Sequence, residues 1–318
     1  MLNVLLSAAI WDYLIGDPSS WIHPVQLMGG IIQFYSQLII KLTTNKWLRR
    51  IAGIILGLGL ILGSGLVGWL MIVGANIINP WLAKGVAIIL LASCFAGKSL
   101  RVAAETVLKT LQEADLVQAR FQLTRYVGRD TENLSKTEIL RAILETVAEN
   151  AVDGVTVPLF YAIIGLFIPG VGSVPLALGY KAASTLDSMI GYLREPYTDI
   201  GWFSAQLEDG LTWLPCRLTV LTLALFSGKP RQVLAICRRD AITDPSPNSG
   251  WSECIYAAIL GVQLGGVNTY KGVVKQKPLL VNSDRPITAE TIHEALKLTR
   301  YCFISWLSIT TSIWLIFH

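Results

Sequence analysis

The chain has 318 residues, 53% of them hydrophobic and 15% charged, with a mean hydropathy of +0.52. That balance is too apolar for an ordinary soluble protein of this length and predicts an all-α polytopic membrane protein in contact with a lipid bilayer. The net charge is a modest +4, and the lysines and arginines gather in particular loops, as in cytoplasmic loops, so no nucleic-acid partner is implied.

The five cysteines are far apart, include no C-x-x-C pair and fall mostly in apolar stretches, which reads as small buried hydrophobes. With His23, His293 and His318 as the only histidines, a histidine-built metal centre is not expected.

Met1 to Ile15 is apolar but lacks a basic leader and an A-x-A cleavage site, so it is expected to be retained structure and not a signal peptide. Gly16 to Pro24 follows as a turn, with Asp17 and His23 as its polar side chains. Residues 25 to 40 form a second apolar segment ending in Lys41, Lys46, Arg49 and Arg50, a basic patch that favours the cytoplasmic side. Ile51 to Ile78 is long enough to cross a bilayer with tilt. Its G-S-G-L-V-G run, Gly63 to Gly68, matches the dinucleotide fingerprint, but no strand precedes it, and small residues at four-residue spacing serve close helix packing in lipid. A returning span covers about Trp81 to Ala96. Gly97-Lys98-Ser99 lacks the first glycine of a phosphate-binding loop, so Lys98 and Arg101 read as anchors at the cytoplasmic face.

Ser99 to Leu123 is expected to form a soluble amphipathic helix pair. Ser135 and Glu138 form a capping box, which starts the next helix near Lys136. On that helix Arg141, Glu145, Glu149 and Asp153 recur at four-residue spacing along one face, with Asn150 beside them. Three carboxylates on one face repel one another and one arginine cannot neutralise them, so a magnesium ion carrying a nucleotide phosphate is the natural occupant. A solvated charged face is the bland alternative.

An apolar segment then runs to Ile168, turns at Pro169-Gly170 and returns through Val174 to Gly191. It carries Lys181 and Asp187, and ionisable groups at membrane depth are functional candidates by default, a structural pair being the alternative. Basic loops flank residues 200 to 227 on both sides, so that stretch is expected to re-enter or not to cross. Asp244 to Glu253 leads into a helix near Trp251, where Asn248 and Ser249 with the free N–H groups could receive a phosphate, or simply cap the helix. Gly265 and Gly266 are expected to end that helix, a basic segment runs to Arg285, and Thr288 caps a final helix. The chain is expected to be a single membrane-embedded domain over 1–318, with cytoplasmic helical segments at 97–150 and 228–300.

In order, G-D-P…H-P, G-R-D-T, A-E-N-x-V-D-G-V-x-x-P-L-F-Y, Y-K-A-A-S-T-L-D-S-M, G-W…L-E-D…W-x-P-x-R, R-R-D-A and P-S-P-N-S-G-W-x-E resemble the cobalamin biosynthesis membrane protein family of adenosylcobinamide-phosphate synthases. The resemblance implies a multi-pass inner-membrane enzyme with its active site facing the cytoplasm. Such an enzyme joins the free propionate carboxylate of adenosylcobyric acid to the amine of aminopropanol phosphate, or of aminopropanol, using ATP and Mg2+. It leaves room for a homo-oligomer or contact with other corrinoid-pathway enzymes. A membrane transporter and a D-G-type phosphotransferase are the other function classes considered.

A carboxylate accepts an amine at neutral pH only once its oxygen is made a leaving group, so the site needs metal ligands, cations for phosphates and a base. Glu145, Glu149 and Asp153 suit the metal. Arg129, Asp130, Asn150, Arg239 and Asn248 are candidates to bind the nucleotide. Lys181, Asp187 and Glu145 are the catalytic candidates, Asp187 as base.

Overall fold

In the computed structural model, residues 1–17, 23–192 and 194–317 are described; residues 18–22 of the expected turn, Leu193 and His318 lie outside them. About 75% of the chain is helical. The backbone divides into two compact units, the first built from residues 1–96, 157–212 and 307–318, the second from 97–156 and 213–306.

The first unit is organised around α3 (Lys46–Ile78), whose 33 residues would extend about 50 Å, more than the hydrocarbon core of a bilayer. Asn45 caps it, its side chain accepting from the N–H groups of Trp47 and Leu48. One stripe of the helix, including Ile51, Ile55, Leu58, Leu62 and Leu66, is exposed at helical spacing; in water this would be a large apolar patch, and in lipid it is an ordinary surface. The opposite stripe packs against α4 (Pro80–Ala92) and α9 (Ser173–Ile190). Its glycines permit that approach: a Cβ on Gly53 would stand 2.1 Å from the Ile200 carbonyl oxygen, and one on Gly68 would stand 2.5 Å from Leu178 Cδ1. The G-S-G-L-V-G run therefore lies in mid-helix as a packing surface. Around this core lie α1 (Leu2–Leu14) against α4, α2 (Pro24–Leu42) against α9, and α8 (Val157–Phe167), which turns at Pro169-Gly170 to pack on α9.

The second unit collects the polar segments. Helices α5 (Gly97–Gln112) and α6 (Leu116–Thr124) stand where the helix pair was expected, α5 alone being clearly amphipathic, and both pack on α7 (Lys136–Asn150). The predicted capping box is formed: Ser135 Oγ accepts from the Glu138 N–H at 3.3 Å, and Glu138 Oε2 accepts from the Ser135 N–H at 2.7 Å. The helix α10 (Trp202–Phe226) runs continuously through Pro215. After it come α11 (Pro230–Asp240), α12 (Ser249–Leu260) and α13 (Ala289–Phe317).

Two features depart from the sequence reading. The A-V-D-G-V-T stretch, Ala151–Thr156, is a π-helical turn, so the four-residue spacing that stacks side chains in an α-helix does not carry through to Asp153. The helix before Gly265-Gly266 ends at Leu260 with Gly261 in the left-handed region, and the glycines instead open an antiparallel hairpin, β1 (Leu264–Tyr270) with β2 (Val273–Leu280). Gly265, at φ +88°, sits at a register irregularity where a Cβ would come 1.9 Å from the Pro278 carbonyl oxygen. Only glycine fits there.

By length and composition, three helices among the described residues could cross a membrane: α3, the continuous run from Lys136 to Phe167, and α13; α4 with α5 makes a fourth if that pair is one broken span. The α10 helix is not among them.

Candidate functional site

The second unit holds a buried polar network built on α7. Glu145 is 1% exposed and accepts from Arg129 Nη2, while its other oxygen accepts from the Gly265 N–H at 3.1 Å. Arg129 Nη1 donates to Asn268 Oδ1 at 2.8 Å, and Arg141 donates to the Gly265 and Val267 carbonyls of β1. Asp130 accepts the Lys271 and Gly272 N–H groups at 2.9 and 2.8 Å, gripping the hairpin turn. The G-R-D-T block thus fastens the hairpin to α7.

This gives three candidates different work from that expected of them. Arg129 neutralises Glu145 and does not present an open guanidinium to a phosphate. Asp130 has both oxygens engaged by backbone donors, and Glu145 is an acceptor inside the network. A Glu145→Ala protein would bury Arg129 without its carboxylate, and loss of such a partner costs about 3–5 kcal/mol. The expected outcome is a large drop in the thermal midpoint of the detergent-solubilised protein. Arg129→Met with Glu145→Leu should be milder than Glu145→Ala, because no orphan charge remains.

Farther along, α7 and the π turn keep their polar groups nearer the surface. Glu149 and Asn150 are exposed and Asp153 is half-buried. Single π turns inside helices recur at functional sites. Among the described residues no three His, Cys, Asp or Glu side chains converge to hold a metal, so the expected Glu145, Glu149, Asp153 cage is not assembled. The ion pair to Arg129 removes Glu145 from it. Glu149 and Asp153 still fit a magnesium ion borne by a nucleotide, which takes one or two carboxylates and completes its shell with phosphate oxygens and water.

Beside this surface lies a pair that the sequence reading missed. Lys277 Nζ, on β2, donates to Glu253 Oε1 of α12 at 2.7 Å. Burial, joined by the charges of Glu145 and Glu149, pushes the Glu253 carboxyl up to about 8 against the pull of Lys277. For Lys277, burial works against the ammonium, but Glu253, Glu149 and Asp244 outweigh it and hold the group above the ordinary lysine range. Burial is the largest influence on both groups: it raises the Glu253 carboxyl, and on Lys277 it is outweighed by the surrounding carboxylates. Since folded Glu253 retains a proton that an unfolded glutamate releases above about 4.5, its contribution to stability falls as pH rises from there through 8.

The nucleotide candidates downstream are held differently. Arg239 is exposed and grips Asp240 at 2.5 and 2.9 Å, which, with the Val281 N–H that Asp240 also accepts, lowers the Asp240 carboxyl. Asn248 is buried and makes no side-chain cap. Its Oδ1 accepts from Arg217 Nη1 at 3.2 Å, and Ser246 Oγ accepts the Asn248 and Ser249 N–H groups instead. Arg217 also lies over Trp213 and Trp251, so the W-x-P-x-R and P-S-P-N-S-G-W blocks lock together.

Lys181 and Asp187 belong to the first unit, on α9, and both are half-buried. The charges of Lys181 and of Asp17 both reach Cys94, at the end of α4, and Asp17 Oδ1 lies 3.2 Å from His23 Nε2. Asp17 and Lys181 therefore both lie within electrostatic range of Cys94. Asp187 folds back on Gly191, where a Cβ would stand 2.0 Å from its Oδ1. A second buried set, Tyr180 with Glu208 and Thr212, links α9 to α10 through bonds of 2.6 to 3.2 Å.

Nearly the whole chain is similar to known proteins. The family model described as CobD/Cbib protein matches residues 5–299. The chain belongs to the CobD/CbiB family. It is 58% identical over 301 residues to a cobalamin biosynthesis protein CobD of Synechocystis, covering 95% of this chain and 88% of that one. It is 38% identical over 303 residues to a cobalamin biosynthesis protein CbiB of Salmonella arizonae, covering 93% of each. A cobalamin biosynthesis protein CobD of Halalkalibacterium halodurans is 38% identical over 308 residues, with 95% and 93% covered. No solved structure matches the chain.

Proposed function

We propose that this membrane protein acts in cobalamin biosynthesis as an ATP-dependent amide-forming ligase, joining the free propionate of adenosylcobyric acid to aminopropanol phosphate or aminopropanol. Family membership over residues 5–299 carries the reading, and it favours a biosynthetic enzyme over the transporter and phosphotransferase classes. The acidic end of α7 supports it, since Glu149 and Asp153 would hold a nucleotide-borne magnesium, which when bound withdraws charge from the phosphates. The exposed Arg239, with Nε and Nη2 held by Asp240, would offer Nη1 to a phosphate. Lys181 and Asp187 are the candidates for the chemical step, Asp187 as a base.

ATP is supplied on the inner side of the plasma membrane, so the second unit faces the cytoplasm in this reading. All five cysteines are buried, and they can be replaced to give a cysteine-free background. Single cysteines at the exposed positions Glu132 and Val274 should then be labelled by an impermeant maleimide only after the membrane is opened. Labelling of either position in intact cells would overturn the orientation. The purified protein should release ADP or AMP in step with amide formation when given adenosylcobyric acid and the amine; amide formation without ATP would overturn the ligase reading.

A further inference from the structure

The Glu253–Lys277 pair has a feature that closing a hairpin does not require. Glu253 Oε1 is satisfied by Lys277, but Oε2, on a residue only 1% exposed, has no hydrogen-bond partner. Buried carboxylate oxygens are ordinarily satisfied, because one taken out of water without a donor is costly. Three carboxylates bear on the pair: Glu145 and Glu149 from α7 act on Glu253, and Glu149 and Asp244 act on Lys277. The one further cation acting on Glu149 is Arg129, which is engaged with Glu145. The place beside Oε2 therefore suits a small cation with hydrogen-bond donors of its own. A bare metal is the poorer fit, because no three carboxylates converge among the described residues and an ammonium already occupies one side. A primary ammonium, with three N–H donors, suits it better.

Lys277 supplies the complementary half. It is half-buried on β2, has three N–H donors and gives one to Glu253. A ligand with an ammonium and a phosphate a few bonds apart would place each charge beside its opposite. The geometry points to the Glu253–Lys277 pair as the subsite for an amino-alkyl phosphate, Glu253 Oε2 taking the ammonium and Lys277 the phosphate. This assignment rests on the ligase reading and narrows its amine substrate to the phosphorylated one. It also carries a pH dependence. Below about 8 the Glu253 carboxyl holds its own proton and gives up the ammonium, so the amine KM should rise as pH falls, with Lys277, Glu145, Glu149 and Asp244 as the charged groups that set the midpoint.

The test is steady-state kinetics of the full chain in detergent, with 1-amino-2-propanol and its phosphate as alternative amines. Assayed above about pH 8, where Glu253 of the parent is ionised, Glu253→Gln should raise the KM for both amines about 10- to 100-fold, the loss of one charge-assisted bond, with the KM for ATP and for the corrinoid unchanged. Lys277→Met should raise the KM for the phosphorylated amine by a similar factor, leave that for the free amine alone, and Lys277→Arg should restore the preference. An amine KM within twofold of the parent in either variant would overturn the subsite, as would an equal rise for all three substrates, the mark of a structural pair. If Glu253→Gln does not fold, the Lys277 variants decide by the same criteria. If the parent protein forms no amide with either amine, the ligase reading fails, and calorimetric binding of the amine phosphate then decides the subsite alone: binding lost in Lys277→Met sustains it, and no binding overturns it.

Discussion

Glu149→Ala and Asp153→Ala, each alone, are expected to lower ATP-dependent amide formation about 100-fold or more, with membrane insertion and thermal midpoint unchanged. The expectation follows from where these side chains stand. Glu149 is exposed at the end of α7 and Asp153 half-buried in the π turn, whereas Glu145 is fully buried and bound by Arg129 and the Gly265 N–H. Loss of Glu145 should unfold, and loss of its neighbours on the same face should inactivate. The checks are amide yield at limiting Mg2+ and a parallel melting curve. Near-normal activity in either variant at limiting metal would remove that residue from the nucleotide site, and a fall in the midpoint to match Glu145→Ala would make it structural.

The sequence made one part of this surface legible and hid the other. The capping box, the start of α7 at Lys136 and the charged face all follow from local spacing, which needs no knowledge of the fold. The π turn is not visible in that way, because the letters of A-V-D-G-V-T fit an α-helix as well. Long-range pairing was hidden altogether. Arg129 meets Asn268 across 139 positions, and Lys277 meets Glu253 across 24 through a hairpin that was read as a helix end and a basic tail. The strand Val273–Leu280 carries two lysines and a proline, weak material for a strand pattern, and the hairpin is held by Asp130 at its turn, Arg141 on β1 and Glu253 on β2 more than by propensity. The residues that give this unit its chemistry are thus the ones that also give it its tertiary structure. In the first unit the apolar spans, the turn at Pro169-Gly170 and the packing glycines of α3 were plain from composition and spacing. That Lys181 shares the neighbourhood of Cys94 with Asp17 was not.

A protein carrying Lys181→Met and Asp187→Leu together is expected to be folded, inserted and unable to convert adenosylcobyric acid, at least 100-fold down and no more active than the worse single variant, as for groups that act as a unit. The alternative is that the two neutralise each other, in which case removing both should be far milder than removing either, since no orphan charge would be left. Helix geometry argues against that alternative. Six residues along the unbroken α9 separate the two by about 9 Å of axial rise and put them on different faces. Each instead has its own setting, Lys181 toward the end of α4 where Asp17 also acts, and Asp187 over Gly191 in the last turn. Gly191→Ala offers an independent check, because a Cβ 2.0 Å from Asp187 Oδ1 would force the carboxylate out of place without removing any charge. If Asp187 acts on the amine, Gly191→Ala should lower kcat and leave the KM for ATP alone. Activity recovered in the double variant relative to the singles, or a Gly191→Ala protein with unchanged kcat, would return the two residues to a structural role.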